Sequence, residues 1–188
     1  MTELFNPLLK NPRGVHFESQ EPNEKVYFIL RRHPITNVGW IAFSLIGVFT
    51  PIIAMYVFTI FEIDSFQVLP AQLQFILIIL WYLLISLFTF ESFLIWYFNV
   101  YIITDRRVID VDFAGFWGKR ISEAPLDNVE DVTYGTSTFL HVLFDYGDIY
   151  MQTAAEKREF EFHSIPKPGI VHDKLTDLVE EYKKRHAR

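Results

Sequence analysis

The side chains that could do chemistry are thinly scattered along this 188-residue chain. There is no cysteine, which removes disulfides, thiolate metal sites and cysteine nucleophiles together. Six histidines, His16, His33, His141, His163, His172 and His186, show no metal-ligand spacing with one another, whereas zinc needs clustered ligands. The carboxylates Asp110, Asp112, Glu130, Asp131, Glu159 and Glu161 fall at alternating or turn positions, the pattern of a solvated sheet face. No Ser or Thr sits in a nucleophile motif with an evident base, and no GxGxxG, GK[ST] or HExxH pattern occurs. The expectation is a protein that is not an enzyme and that carries no metal or cofactor.

Two features stand apart. Glu91 lies inside an otherwise apolar run. It reads as a snorkelling or protonated carboxyl bonded to a neighbouring helix, or as a polar contact between spans, a proton-linked group or a ligand site. The stretch "GFWGKR" joins Phe116 and Trp117 to Lys119 and Arg120 at a glycine-bounded turn. Trp favours membrane interfaces, and a basic residue beside an anionic leaflet is worth about 1 kcal/mol.

The elements around these residues are of two kinds. No charge occurs from Pro34 to Phe61, and within that stretch Trp40 to Phe61 would span about 33 Å as a helix, matching a hydrocarbon core of roughly 30 Å. Pro51 and Gly47 are poor choices for a soluble helix but are tolerated in membrane helices. Leu73 to Phe98 forms a second apolar run that ends in Trp96, Tyr97 and Phe98, an interfacial belt. The expectation is a membrane hairpin over residues 35–98, with helices at about 40–61 and 73–98. The connecting loop carries Glu62 and Asp64 and no Lys or Arg, while Arg31, Arg32, Arg106 and Arg107 flank the two runs. By the positive-inside rule both termini are cytoplasmic in the cell membrane and the loop is external. The N-terminal residues, broken by prolines and charges, do not read as a signal peptide.

After Asn99 the period changes to two. Ile109, Val111 and Phe113 alternate with Asp110 and Asp112. Further extended segments follow, with Ile149 and Met151, then Phe160 and Phe162, as inward positions. Phe139, Leu140, Val142, Leu143 and Phe144 read as a short helix that closes the domain, with an exposed docking patch as the other reading. Val171, Leu175, Leu178, Val179 and Tyr182 lie on one stripe of a C-terminal amphipathic helix. The expected organisation is an N-terminal cytoplasmic segment (1–34), the hairpin, and a cytoplasmic α+β domain (99–188) of antiparallel strands capped by that helix. Val26 to Leu30 either joins the sheet or lies at the interface.

In this order, "EKVYFILRRHPI", "YIITDRRVIDVDFAGFWGKR", "APLDNVEDV", "LFDYGDIYMQTA" and "FHSIPKPGIVHDKL" resemble the bacterial membrane proteins that carry a pleckstrin-homology-like domain. The resemblance implies a seven-stranded half-barrel with a C-terminal helix. It also implies headgroup contact near the first hairpin, so Trp117, Lys119 and Arg120, with Arg31, Arg32, Arg106 and Arg107, are candidate headgroup contacts.

Charge argues on the other side. From Asn99 onward there are 12 Lys and Arg against 16 Asp and Glu, a net of −4, and the whole chain is at −6. That balance opposes nucleic-acid binding and tempers attraction to an anionic surface. Three functions follow from these residues. The first is a non-catalytic interaction or assembly module with a protein partner or a second copy. The second is an anionic-lipid sensor or envelope-homeostasis factor, and the third a transporter or membrane-enzyme subunit using Glu91.

Overall fold

The computed structural model describes residues 6–12, 14, 16–17, 19–61, 69–154 and 159–186. The loop acids Glu62 and Asp64, and the side chains of Glu159 and His186, lie outside them. The chain divides into two units. One draws on residues up to Thr36 and from Trp96 onward; the other is Asn37–Ile95.

The first unit is an α+β domain built on two antiparallel sheets. Strands β1 (Leu8–Lys10), β2 (Val26–Arg31), β3 (Val100–Thr104), β4 (Arg107–Phe113) and β5 (Lys119–Pro125) form one sheet in that order. The other contains β6 (Val129–Gly135), β7 (Tyr146–Thr153) and β8 (Glu159–Pro166). A five-residue helix, α3 (Phe139–Leu143), interrupts the β6–β7 connection, and α4 (Pro168–His186) follows β8. Pro168 opens α4 at a position where its missing N–H leaves no intrahelical bond unmade.

The segment left open by the sequence, Val26 to Leu30, is in the sheet. It lies between β1 and β3, with Leu30 opposite Tyr101 and Arg31 opposite Val100. Side chains directly opposite one another share a face. Phe28, Leu30, Ile103, Val108 and Ala124 therefore present one continuous apolar surface. Ile149, Met151, Phe160 and Phe162 of the second sheet and Val171, Leu175 and Leu178 of α4 close over it. Each large side chain so buried contributes roughly 1.5–3 kcal/mol. The registers also define two ends of the first sheet. Arg31, Val100 and Val111 lie in one row, where the chain leaves β2 and enters β3. This is the junction end. The turn from Thr104 to Arg107 marks the far end.

The second unit consists of α1 (Val38–Ile60, 23 residues) and most of α2 (Ala71–Phe98, 28 residues). At roughly 1.5 Å per residue, both helices are long enough, and apolar enough, to cross a membrane. Their outer surfaces are apolar too: Phe49, Ile52, Leu83 and Leu84 are exposed, as expected of a helix whose solvent is hydrocarbon.

Pro51 organises the contact between the two helices. Having no N–H, it cannot donate to the carbonyl of Gly47 one turn earlier. The indole N–H of Trp81 donates to that carbonyl instead, at 2.8 Å. Beside it the Tyr82 hydroxyl donates to Val48 O at 3.2 Å, and the Thr89 hydroxyl reaches Ser44 Oγ at 2.8 Å. Gly47 allows the approach: a Cβ there would stand 2.5 Å from Ile85 Cδ1. Small residues at helix contacts in membranes serve this purpose.

A double-mutant cycle tests the Pro51–Trp81 relation. Trp81→Phe should weaken association of α1 and α2 by about 0.5–1.5 kcal/mol. In a Pro51→Ala background, where residue 51 supplies its own N–H, most of the loss attributable to the indole hydrogen bond should disappear. Reversible unfolding in detergent micelles reads the coupling; additive effects would show that the indole bond does not depend on the proline.

Candidate functional site

The sheet registers separate the predicted site residues into two groups. Phe113 pairs with Lys119 and Asp112 with Arg120, so the "GFWGKR" turn projects from the junction end. Gly115–Trp117 forms a single 3-10 turn, closed by the Ala114 N–H donating to Gly118 O at 2.9 Å. Gly118 adopts φ +121, a conformation that a side chain would disfavour. The result is a tip whose apolar groups have no cover: Trp117 is 91% exposed and Phe116 70%. Lys119 and Arg120 are exposed directly behind them. The tip is tied to the end of α2 by ring contact between Phe98 and Phe113 at 5.4 Å and by the Phe113 N–H donating to Asn99 Oδ1.

Arg31 and Arg32 share this end. Arg31 lies over the Tyr97 ring at 4.7 Å and donates from Nε to Tyr97 O at 3.0 Å. Arg32 lines a polar cleft of about 280 Å³ with Asn99, Tyr101, Asp110, Asp112, Glu161 and His163. Burial, the nearby Asp112 charge and only partial relief from Arg32 and His163 push the Asp110 carboxyl from 3.8 to about 6. Burial likewise pushes the Tyr101 hydroxyl up; its oxygen accepts the His163 backbone N–H at 3.2 Å. Asp110 thus departs from the expected solvated face. In β4 both Val108 and Ile109 are buried, so neither face of the strand is free at that point, and Asp110 faces the cleft.

Arg106 and Arg107 are at the far end. Arg107 donates to Glu24 from Nε and Nη2, both at 3.0 Å, to Glu123 at 2.7 Å and to Ser19 O at 2.5 Å. Arg106 pairs with Glu21. These contacts clamp the segment before β2 onto the β3–β4 turn. Burial alone would push the Glu24 carboxyl up, but hydrogen bonds from Arg107, the Glu21 N–H and Thr104 outweigh it and hold the group below its ordinary value. Glu24, only 5% exposed, carried no signal in the sequence beyond being an acid beside a Pro-Asn turn.

Glu91 lies on α2 and is half-buried. Among the described residues no group of three His, Asp or Glu side chains is placed to hold a metal ion. The Phe139–Phe144 run is helical as expected over α3, but it closes nothing. None of the helix is buried.

The architecture and its junction end can now be set beside known proteins. Residues 34–179 match the family model described as Bacterial PH domain. The chain belongs to this family. The match takes in both apolar helices and ends inside α4. It begins after β2, so two strands of the first sheet, β1 and β2, lie outside it. No curated protein matches the chain. Two solved structures are similar to parts of it. One is a DUF1696 family protein with a pleckstrin-homology domain from Shewanella loihica PV-4, at 13% identity over 45% of this chain and 69% of that one, with a TM-score of 0.34. The other is a pleckstrin homology domain from Shewanella amazonensis SB2B, at 16% identity over 43% and 66%, with a TM-score of 0.33.

Two stability measurements on the detergent-solubilised bacterial PH-domain chain test these assignments. Glu24→Gln strips the far-end clamp of its buried charge and should cost about 1.5–3 kcal/mol; an effect near zero would reduce the clamp to a surface contact. Asp110 has the opposite sign. Its folded-state pKa is raised, so it does not penalise the fold below pH 3.8, where both states hold the proton. Its penalty grows as pH rises to about 6. Asp110→Asn should therefore stabilise the protein near neutral pH by about 1 kcal/mol. That is below the roughly 3 kcal/mol of the full shift, because the cleft is open to water. The variant should also flatten the decline in melting temperature across that window.

Proposed function

We propose that this chain is an integral membrane protein that presents its bacterial PH domain at the cytoplasmic face as a non-catalytic interaction module. The observation that carries the proposal is the pairing of β2 with β3. One strand precedes α1 and the other follows α2, so residues on both flanks of the two apolar helices must share one side of any bilayer those helices cross. The positive-inside rule chooses the side: Arg31, Arg32, Arg106 and Arg107 all belong to this domain. The sheet also leaves the domain short of freedom, since two connections leave it at the same end.

A specific observation favours a lipid-reading component. The exposed Phe116–Trp117 tip, backed by Lys119 and Arg120, projects from the end that carries the junctions. At that end a headgroup contact orients a domain that is already anchored. Arg31 and Arg32 lie at the same end, while Arg106 and Arg107 are engaged at the far end in holding the domain together. The acidic balance of the remaining surface suits a protein partner better than an anionic leaflet.

The absence of cysteine makes the test direct. Ser65→Cys, between the helices, and Asp127→Cys, at the far end of the sheet, are introduced singly into the full chain. In sealed right-side-out vesicles an impermeant maleimide should label residue 65 at once and residue 127 only after permeabilisation; the reverse order would overturn the topology. A fluorophore on Trp117→Cys in anionic nanodiscs should be shielded from an aqueous quencher. The shielding should fall at high salt or with Lys119→Glu and Arg120→Glu. Shielding that ignores both would leave apolar insertion without headgroup reading.

A further inference from the structure

The α3 segment has no role in the fold that its composition would justify. Phe139 is 75% exposed and Val142 67%, and Leu140, Leu143 and Phe144 are exposed beside them. No charged residue occurs from Gly135 to Phe144. His141 alone turns inward, with its ring 4.3 Å from that of Tyr146. Tyr146 in turn stacks on His33 at 5.1 Å, and the His33 N–H donates to Ser164 O at 2.6 Å. His33 directly precedes the Pro34–Asn37 turn that leads into α1. Tyr146, stacked on His33 and met edge-on by His141, therefore fixes α3 beside the point where the chain departs for the first apolar helix.

The same relation holds at the other junction. There Phe98 and Phe113 hold the Phe116–Trp117 tip beside the end of α2. Each junction has one uncovered apolar protrusion at its side, and the two are contributed by different sheets.

We propose that α3 is a membrane-contacting element in its own right, with Phe139, Leu140, Val142, Leu143 and Phe144 seated in the headgroup–acyl boundary of the bilayer that α1 and α2 cross. The inference rests on the reading that those helices span a membrane. The occupant is lipid on three grounds. The patch lies next to a junction, where the bilayer surface must be. It is free of charge across its whole length, as insertion requires and as a polar-rimmed protein interface does not. Its area is also too small for the alternative. Five partly exposed side chains fall short of the roughly 800 Å² per partner that a stable protein interface buries. Lipid contact has no such threshold here, because the two helices already supply the anchorage, and each buried Å² of apolar surface still contributes roughly 25 cal/mol. Contact at both α3 and the β4–β5 tip would hold the domain at two points.

The test uses full-length single-cysteine chains in nanodiscs, labelled with an environment-sensitive fluorophore at Val142→Cys, Trp117→Cys or Asp127→Cys. The expected result at residue 142 is a blue-shifted emission, strong quenching by spin-labelled acyl chains and loss of quenching by aqueous iodide. It should hold in neutral and anionic lipid alike, with residue 127 showing the reverse. Iodide quenching at 142 equal to that at 127 would overturn the inference. So would disulfide cross-linking between 142 positions in discs holding two copies, which would assign the patch to a second chain. Lipid quenching at 117 without any at 142 would sink the α3 proposal alone. Failure of the residue 65 labelling pattern would remove the spanning reading beneath it. Leu140→Asp with Leu143→Asp provides an independent arm: the melting temperature should stay near wild type, since neither residue is buried, while the lipid quenching at 142 is lost.

Discussion

The hydrogen-bonded ladder between β2 and β3 is the constraint on which the rest depends. Without it β3 becomes an open edge, and the apolar face built by Ile103, Val108 and Ala124 loses Phe28 and Leu30, the residues that extend it. The clamp of Arg107 on Glu24 and Glu123 acts at the same seam, fastening the segment before β2 at the far end while the ladder fastens the strand itself. An arginine that the sequence offers as a headgroup ligand is thus committed to closing its own domain. A fragment starting at Asn99 would lack both β1 and β2 and would not represent the domain, although residues 99–188 hold most of its strands.

The junction end brings together features of different physical origin. The tip between β4 and β5 is shaped locally, by glycines at positive φ. The Arg32–Asp110 cleft is shaped by burial, which raises the carboxyl that would otherwise repel Asp112. The α3 patch is positioned by ring contacts of Tyr146 with His33 and His141. None of the three depends on the others for its geometry, yet all lie where the chain passes between the domain and the apolar helices.

How much of this was legible in the sequence follows from the range of the forces involved. The two apolar helices declare themselves by composition over more than twenty consecutive residues, and the α4 stripe by its 3.6-residue period. The inward positions of β7 and β8 follow from simple alternation. What local pattern cannot carry is pairing across the chain. Val26 to Arg31 has the same composition whether it lies in a sheet or on a membrane surface, and only its partner at Val100 to Thr104 decides. Asp110 misled for a related reason: alternation assigns an acid to open solvent, but with Val108 and Ile109 both buried it has only the polar cleft beside Arg32 to face. The α3 run shows a further limit, because apolar composition predicts burial, yet none of the helix is buried in the domain.

The order of the strands also has a bearing on how the protein is made. Synthesis delivers β2 well before β3, with both apolar helices between them. At about 5–20 residues per second the strand waits for its neighbour on the order of seconds, with Phe28 and Leu30 uncovered. If only one helix entered the bilayer, β2 and β3 would be left in different compartments and could never meet. For a chain whose two helices cross a bilayer, the sheet can therefore close only once both have been threaded, and a chain threaded once would keep β2 and β3 apart.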